Sequence, residues 1–164
     1  MIRLGEPNPL AVSGKVSRLT GGQADVGLTI TDRYFVNTTP RVNVNVPHSA
    51  GASGGLMFAL QIYAELTGQH LRRGEQIAGT GIIDAYGKVY QIGGVDKKVY
   101  SAAKAGAAVF FVPNQSATKQ LLKQDPHYQN NYAVAKRTAK QLRTKMKIVP
   151  VKTVSDALHY LKTR

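Results

Sequence analysis

The 164-residue chain contains no cysteine. That removes disulfides, thiol nucleophiles and thiolate metal sites. Acidic residues are scarce, with 9 Asp and Glu against 22 Lys and Arg. So few carboxylates give no support to the paired acids of glycoside chemistry. No acid–histidine pattern suggests a metal site, and neither a metal nor a cofactor is expected. No apolar run approaches the roughly 18 residues of a membrane span. No secretion signal opens the chain, because Arg3, Glu6, Pro7 and Pro9 interrupt its start.

What is present is a globular composition, 43% hydrophobic and 19% charged. The length suits one domain with a real core. The formal net charge is +13. Residues 1–92 carry 8 basic and 6 acidic side chains, whereas residues 93–164 carry 14 and 3. Such an excess invites a nucleic-acid reading, and Lys136, Arg137, Lys140 and Arg143 fall together on one helical stretch. No DNA- or RNA-binding signature and no aromatic-studded strand accompany them, so nucleic acid is not expected as a partner. A solvated face, or a face toward an anionic membrane or wall polymer, accounts for the same charges.

Hydrophobic periodicity places strands over residues 10–19, 24–32 and 41–47, the last alternating through Val42, Val44 and Val46. A helix is predicted over 56–66, with Leu56, Ala59, Leu60, Tyr63 and Ala64 on one face and Gly68 as its stop. The runs IAGTGII and KVYQI read as two strands around DAYG. A helix over 95–105, a buried strand over 108–113, helices over 116–123 and 132–145, a strand KIVPV and a helix over 154–161 complete the chain. The class is α/β (α+β), mixed sheets packed with helices. Residues 1–22 are read as an N-terminal extension and 23–164 as the main domain.

Two segments could carry chemistry. In GASGGL (residues 51–56), Ser53 sits in a glycine-rich turn between a strand and a helix. Free N–H groups at a helix start can serve a serine nucleophile and an oxyanion hole together. On its own the segment reads first as an ordinary N-cap in a glycine-rich turn, then as a nucleophile turn, and less well as a phosphate loop, since no Lys-Ser/Thr follows. In IGGVDKKVYSAAKAG (residues 92–106), Lys98 shares a helix face with Ala102, and Lys97 lies about 100° around the helix. Burial favours the neutral form of a lysine, which could then deprotonate a serine; both lysines also read as solvated helix residues. His48, His70, His127 and His159 are scattered and assemble no triad.

Taken together, GASGGLMFALQIYAELTG and TGIIDAYGKVYQIGGVDKK resemble the nucleophile and lysine segments of the Lon-type proteolytic domain. Thr80 stands 13 residues before Gly93 and Lys98 four after Gly94, which agrees with that family's spacing. The resemblance continues through AAKAGAAVFFVPN and TKMKIVPVKTVSDALHYL, covering roughly residues 27–161. GGLMFALQIY and AGTGIIDAYGKV look most like the ATPase-less, PDZ-containing, membrane-anchored branch of Gram-positive bacteria (SepM/YlbL-like proteases). Ile82 stands where Lon proteases with an ATPase have the Glu of TGE.

This resemblance implies an ATP-independent serine endopeptidase acting on proteins or peptides, with Ser53 as nucleophile and Lys98 as general base. It implies an oxyanion hole from the backbone around Gly51, Ala52, Ser53 and Gly54, and a Thr80 that hydrogen-bonds near the lysine. It also implies an extracytoplasmic, membrane-tethered parent, of which this chain is a catalytic fragment lacking the anchor and a complete PDZ domain. Ala52 and Gly54 depart from the family's Pro and Ala around the serine. Ala50 replaces an Asp found in some Lon domains, leaving the lysine without that carboxylate. The alternative is a basic binding module on a catalytically inactive Lon-like domain.

Overall fold

A computed structural model describes residues 17, 18, 24, 25, 42, 51–117, 119–124 and 126–164. The chain divides into two compact units, Met1–Asn45 and Val46–Arg164. In the first, strand β1 (Ser17–Arg18) pairs antiparallel with β2 (Ala24–Asp25), Ser17 facing Asp25. The rest of the predicted strands over 10–19, 24–32 and 41–47, Val42 apart, lies outside the described residues. So do His48, Ala50 and the expected boundary at residue 22.

The second unit begins, as described, with a single 3-10 turn (Ala52–Gly54) that runs straight into α1 (Gly55–Thr67). Gly68 closes α1 in the left-handed conformation, its amide bonded to Ala64 O, as a helix-ending glycine does. Then follow β3 (Ile77–Gly79), β4 (Ile82–Ile83), β5 (Val89–Tyr90) and α2 (Val95–Lys104). The chain continues with β6 (Val109–Pro113), α3 (Lys119–Gln124), α4 (Asn131–Gln141), β7 (Lys147–Val151) and α5 (Val154–Thr163). β6 lies between β3 and β7, parallel to both, while β4 and β5 form a small antiparallel hairpin. This is the α/β architecture with mixed sheets that the sequence pattern predicts.

β6 reads as a continuous apolar run because both of its faces are covered. Val109 and Phe111 enter one core with Leu56, Leu60, Leu71, Val89, Val151, Ala157 and Leu161. Phe110 and Val112 enter the other with Val95, Val99, Ala102, Ala107, Ala135, Ala139 and Met146. Thus α1 and α5 cover one side and α2 and α4 the other. Pro150 is tolerated in β7 because that strand borders β6 alone among the described strands.

Three expectations need correction. The run IAGTGII is not one strand: β3 stops at Gly79 and β4 starts at Ile82, because Thr80 and Gly81 bond to the turn that opens α1. The helix predicted to reach residue 145 ends at Gln141. Arg143 takes a left-handed φ of 51°, which turns the chain so that Met146 is buried in the second core. α3 also starts later than predicted, at Lys119.

Candidate active site

Ser53 occupies the turn ahead of α1. Gly51 begins that turn at φ 99°, a conformation that a side chain disfavours. Ala52, Ser53 and Gly54 then make the 3-10 turn, and Ser53 is half-buried. The first amides of a helix have no carbonyl behind them and carry a partial positive charge.

The turn is tied to the break between β3 and β4. Ser53 O accepts from Gly81 N at 2.8 Å and from Thr80 Oγ1 at 2.9 Å. Leu56 N donates back to Gly81 O at 3.1 Å, and Thr80 N bonds to Phe111 O at 3.0 Å. Residue 81 must be glycine for a steric reason: a Cβ there would stand 2.4 Å from Val89 Cγ1. Thr80 is only 1% exposed, and its hydroxyl serves the backbone of the serine that Lys98 contacts.

Lys98 lies in the first part of α2, on the opposite side of the sheet from α1. Val95, Val99 and Ala102 bury the inner face of that helix. Lys98 is half-buried beside them, and Lys97 is exposed. Lys98 Nζ donates to Ser53 Oγ at 3.2 Å. The two residues, 45 apart in sequence, meet beyond the carboxyl end of β3. An open groove of about 430 Å³ adjoins the lysine, lined by Ala78, Gly79, Lys97, Lys98, Ser101, Ala102 and Phe110. His70, His127 and His159 are exposed. Among the described residues no cluster of His, Asp and Glu could hold a metal ion.

The profile of the Lon protease (S16) C-terminal proteolytic domain matches residues 27–163. The chain belongs to this family. It is 28% identical over 134 residues to a Lon protease of Neorickettsia sennetsu, covering 79% of this chain and 14% of that relative. It is 31% identical over 121 residues to a Lon protease of Trichlorobacter lovleyi, covering 71% of this chain and 13% of the relative. A Lon protease of Campylobacter jejuni is 28% identical over 137 residues, 81% of this chain and 15% of its own length. The chain thus spans about a seventh of the length of the Lon proteases it matches.

Two further residues of this Lon-type domain contact the site's framework without having been singled out from sequence. Gly81 interrupts an apolar strand run, a pattern that signals a close backbone approach. Asn131 follows another Asn at the start of α4, where one cap suffices.

Proposed function

We propose that the protein is an ATP-independent serine endopeptidase that cleaves proteins or peptides with a Ser53–Lys98 dyad. The observation that carries this reading is the 3.2 Å contact between Lys98 Nζ and Ser53 Oγ, within a Lon-type proteolytic domain. The Lys98 amine takes the Ser53 proton as Oγ attacks the scissile carbonyl. The resulting ammonium then protonates the departing amine, and the acyl-enzyme is released when Lys98 activates a water. Backbone amides of the turn formed by Gly51, Ala52, Ser53 and Gly54 face the oxyanion; in other enzymes one such donor is worth about 10²–10³ in rate. Thr80 keeps the serine's own carbonyl engaged, so that it does not compete for those amides.

ATP independence and an extracytoplasmic, PDZ-linked, membrane-tethered parent rest on the branch-like segments GGLMFALQIY and AGTGIIDAYGKV, with Ile82 in place of Glu. In this reading residues 23–164 are the protease domain and 1–22 the remnant joining it to an upstream PDZ domain. Among the described residues no helix is long and apolar enough to cross a membrane. A peptide-cleavage screen of the parent, Ser53→Ala and Lys98→Ala, with and without ATP, tests the proposal. The parent is expected to cleave equally in both conditions and each variant to lose cleavage while melting like the parent. Full activity in Lys98→Ala would remove the dyad, and a requirement for ATP would remove the branch assignment.

A further inference from the structure

Among the described residues only two buried polar side chains stand in the core, Thr80 at 1% exposure and Asn131 at 6%. Buried polar groups are costly unless satisfied, so each invites a reason. Thr80 donates to Ser53 O. Asn131 lies on the other side of the sheet, and its contacts reach the segment that enters α2.

Asn131 is not the cap of α4. That role belongs to Asn130, whose side chain accepts from the amides of Tyr132 and Ala133. The Asn131 carboxamide instead clasps one residue of the segment entering α2. Ile92 N donates to Asn131 Oδ1 at 2.8 Å, and Asn131 Nδ2 donates to Ile92 O at 3.0 Å. One side chain thereby satisfies both backbone groups of Ile92, as a neighbouring strand would. The Asn131 backbone amide donates to Gln91 Oε1 at 2.7 Å, and Gln91 Nε2 donates to Gln115 O at 3.2 Å. Gln115 Nε2 closes the network on Val89 O at 2.8 Å.

The clasp sits just ahead of two glycines, on a residue whose side chain packs against the second core. β5 ends at Tyr90, and α2 starts at Val95. Between them Gly93 and Gly94 have open space where side chains would be. Apolar packing of Val95, Val99 and Ala102 holds α2 against the sheet but is non-directional. A pair of hydrogen bonds to Ile92 sets where along that surface the helix begins.

We infer that Asn131 is the positioning residue for Lys98, the counterpart of Thr80 beneath Ser53. It anchors Ile92, fixes the start of α2 and so holds the Lys98 amine within reach of Ser53 Oγ. The catalytic consequence rests on the dyad proposed above, whereas the clasp itself does not. Displacements of about 1 Å at a catalytic group can cost 10²-fold in rate.

The test combines amide hydrogen exchange with steady-state kinetics on the full chain. Asn131→Ala is expected to speed exchange across residues 92–98 while leaving residues 109–113 protected. It is expected to lower kcat about 10–100-fold with KM within about twofold. Gln91→Ala, which leaves the Asn131 side chain in place, should give the same signature more weakly and serves if Asn131→Ala fails to fold. Ala139→Gly loosens α4 but removes neither hydrogen bond to Ile92, and should keep kcat well below its melting temperature. Unchanged exchange over 92–98, or a kcat no lower than that of Ala139→Gly, would overturn the inference. If the parent cleaves nothing, the protease reading fails, and the exchange result alone decides whether Asn131 anchors the start of α2.

Discussion

Phe110 and Phe111 are adjacent in β6 yet enter cores of different character. On the Phe111 side, Leu56, Leu60, Leu71 and Leu161 fill the space beneath α1 and α5, and Tyr160 meets Phe111 edge-on at 5.7 Å. On the Phe110 side, Ala102, Ala107, Ala135 and Ala139 supply much of the contact beneath α2 and α4. Small side chains let those helices approach the sheet closely but offer little shape to fix their position. Both sides add directional bonds, those of Thr80 and Gly81 to the turn before α1 and those of Asn131 to the segment before α2, but only the first also interlocks large side chains. The site draws one member from each: Ser53 from the turn that opens the helix packed on large side chains, Lys98 from the helix packed on small ones. Their meeting point lies where β3 stops and both layers are within reach.

The largest effect should come from breaking the site on its lysine side. Lys98→Arg puts in its place a guanidinium that stays protonated and cannot act as a base. Peptide cleavage should fall by about 10⁴-fold or more, as far as in Ser53→Ala, with the double variant no worse than either single one. Next is packing itself. Phe111→Ala should cost about 3–5 kcal/mol in denaturant unfolding, whereas Ala135→Gly on the opposite side should cost about 1 kcal/mol. Equal losses would mean that the two cores are not different in kind.

A smaller effect belongs to Thr80→Val. It keeps the buried shape but leaves Ser53 O with Gly81 N alone, at a cost of about 1–3 kcal/mol. In kinetics it should reduce kcat and leave KM near the parent value. The smallest concerns α5, whose Thr153 and Asp156 form a capping box. Burial alone would raise the Asp156 carboxyl, but the donating amides of Lys152 and Thr153 outweigh it and hold it below the usual value. A carboxylate depressed on folding stabilises the protein above its ordinary titration range and loses that contribution as pH falls through the depressed value. Asp156→Asn should therefore lie about 1 kcal/mol below the parent at neutral pH, and the gap should shrink below about pH 4.

Much of the second unit was legible in the sequence. α1 and α2 follow the 3.6-residue period and stop near Gly68 and Gly106, and KIVPV is β7 residue for residue. The failures share one cause, because local pattern says nothing of partners distant in sequence. IAGTGII has the apolar content of one strand, yet its middle is claimed by a turn nearly 30 residues earlier. The stretch 132–145 is helix-prone throughout, yet its end is cut short so that Met146 can be buried. Ser53 and Lys98 could be named from the paired segments, and their distance came only from the fold. Asn131 left only the faint signal of a second asparagine at a helix start, where a single one has an ordinary explanation as the cap.

The central claim is that Ser53 is a nucleophile made reactive by Lys98. A fluorophosphonate probe followed by peptide mass mapping tests it without knowledge of the natural substrate. The account predicts one modified residue, Ser53, in the parent and a labelling rate at least about 10²-fold slower in Lys98→Ala. Labelling at another serine, or an unchanged rate at Ser53 without Lys98, would contradict it.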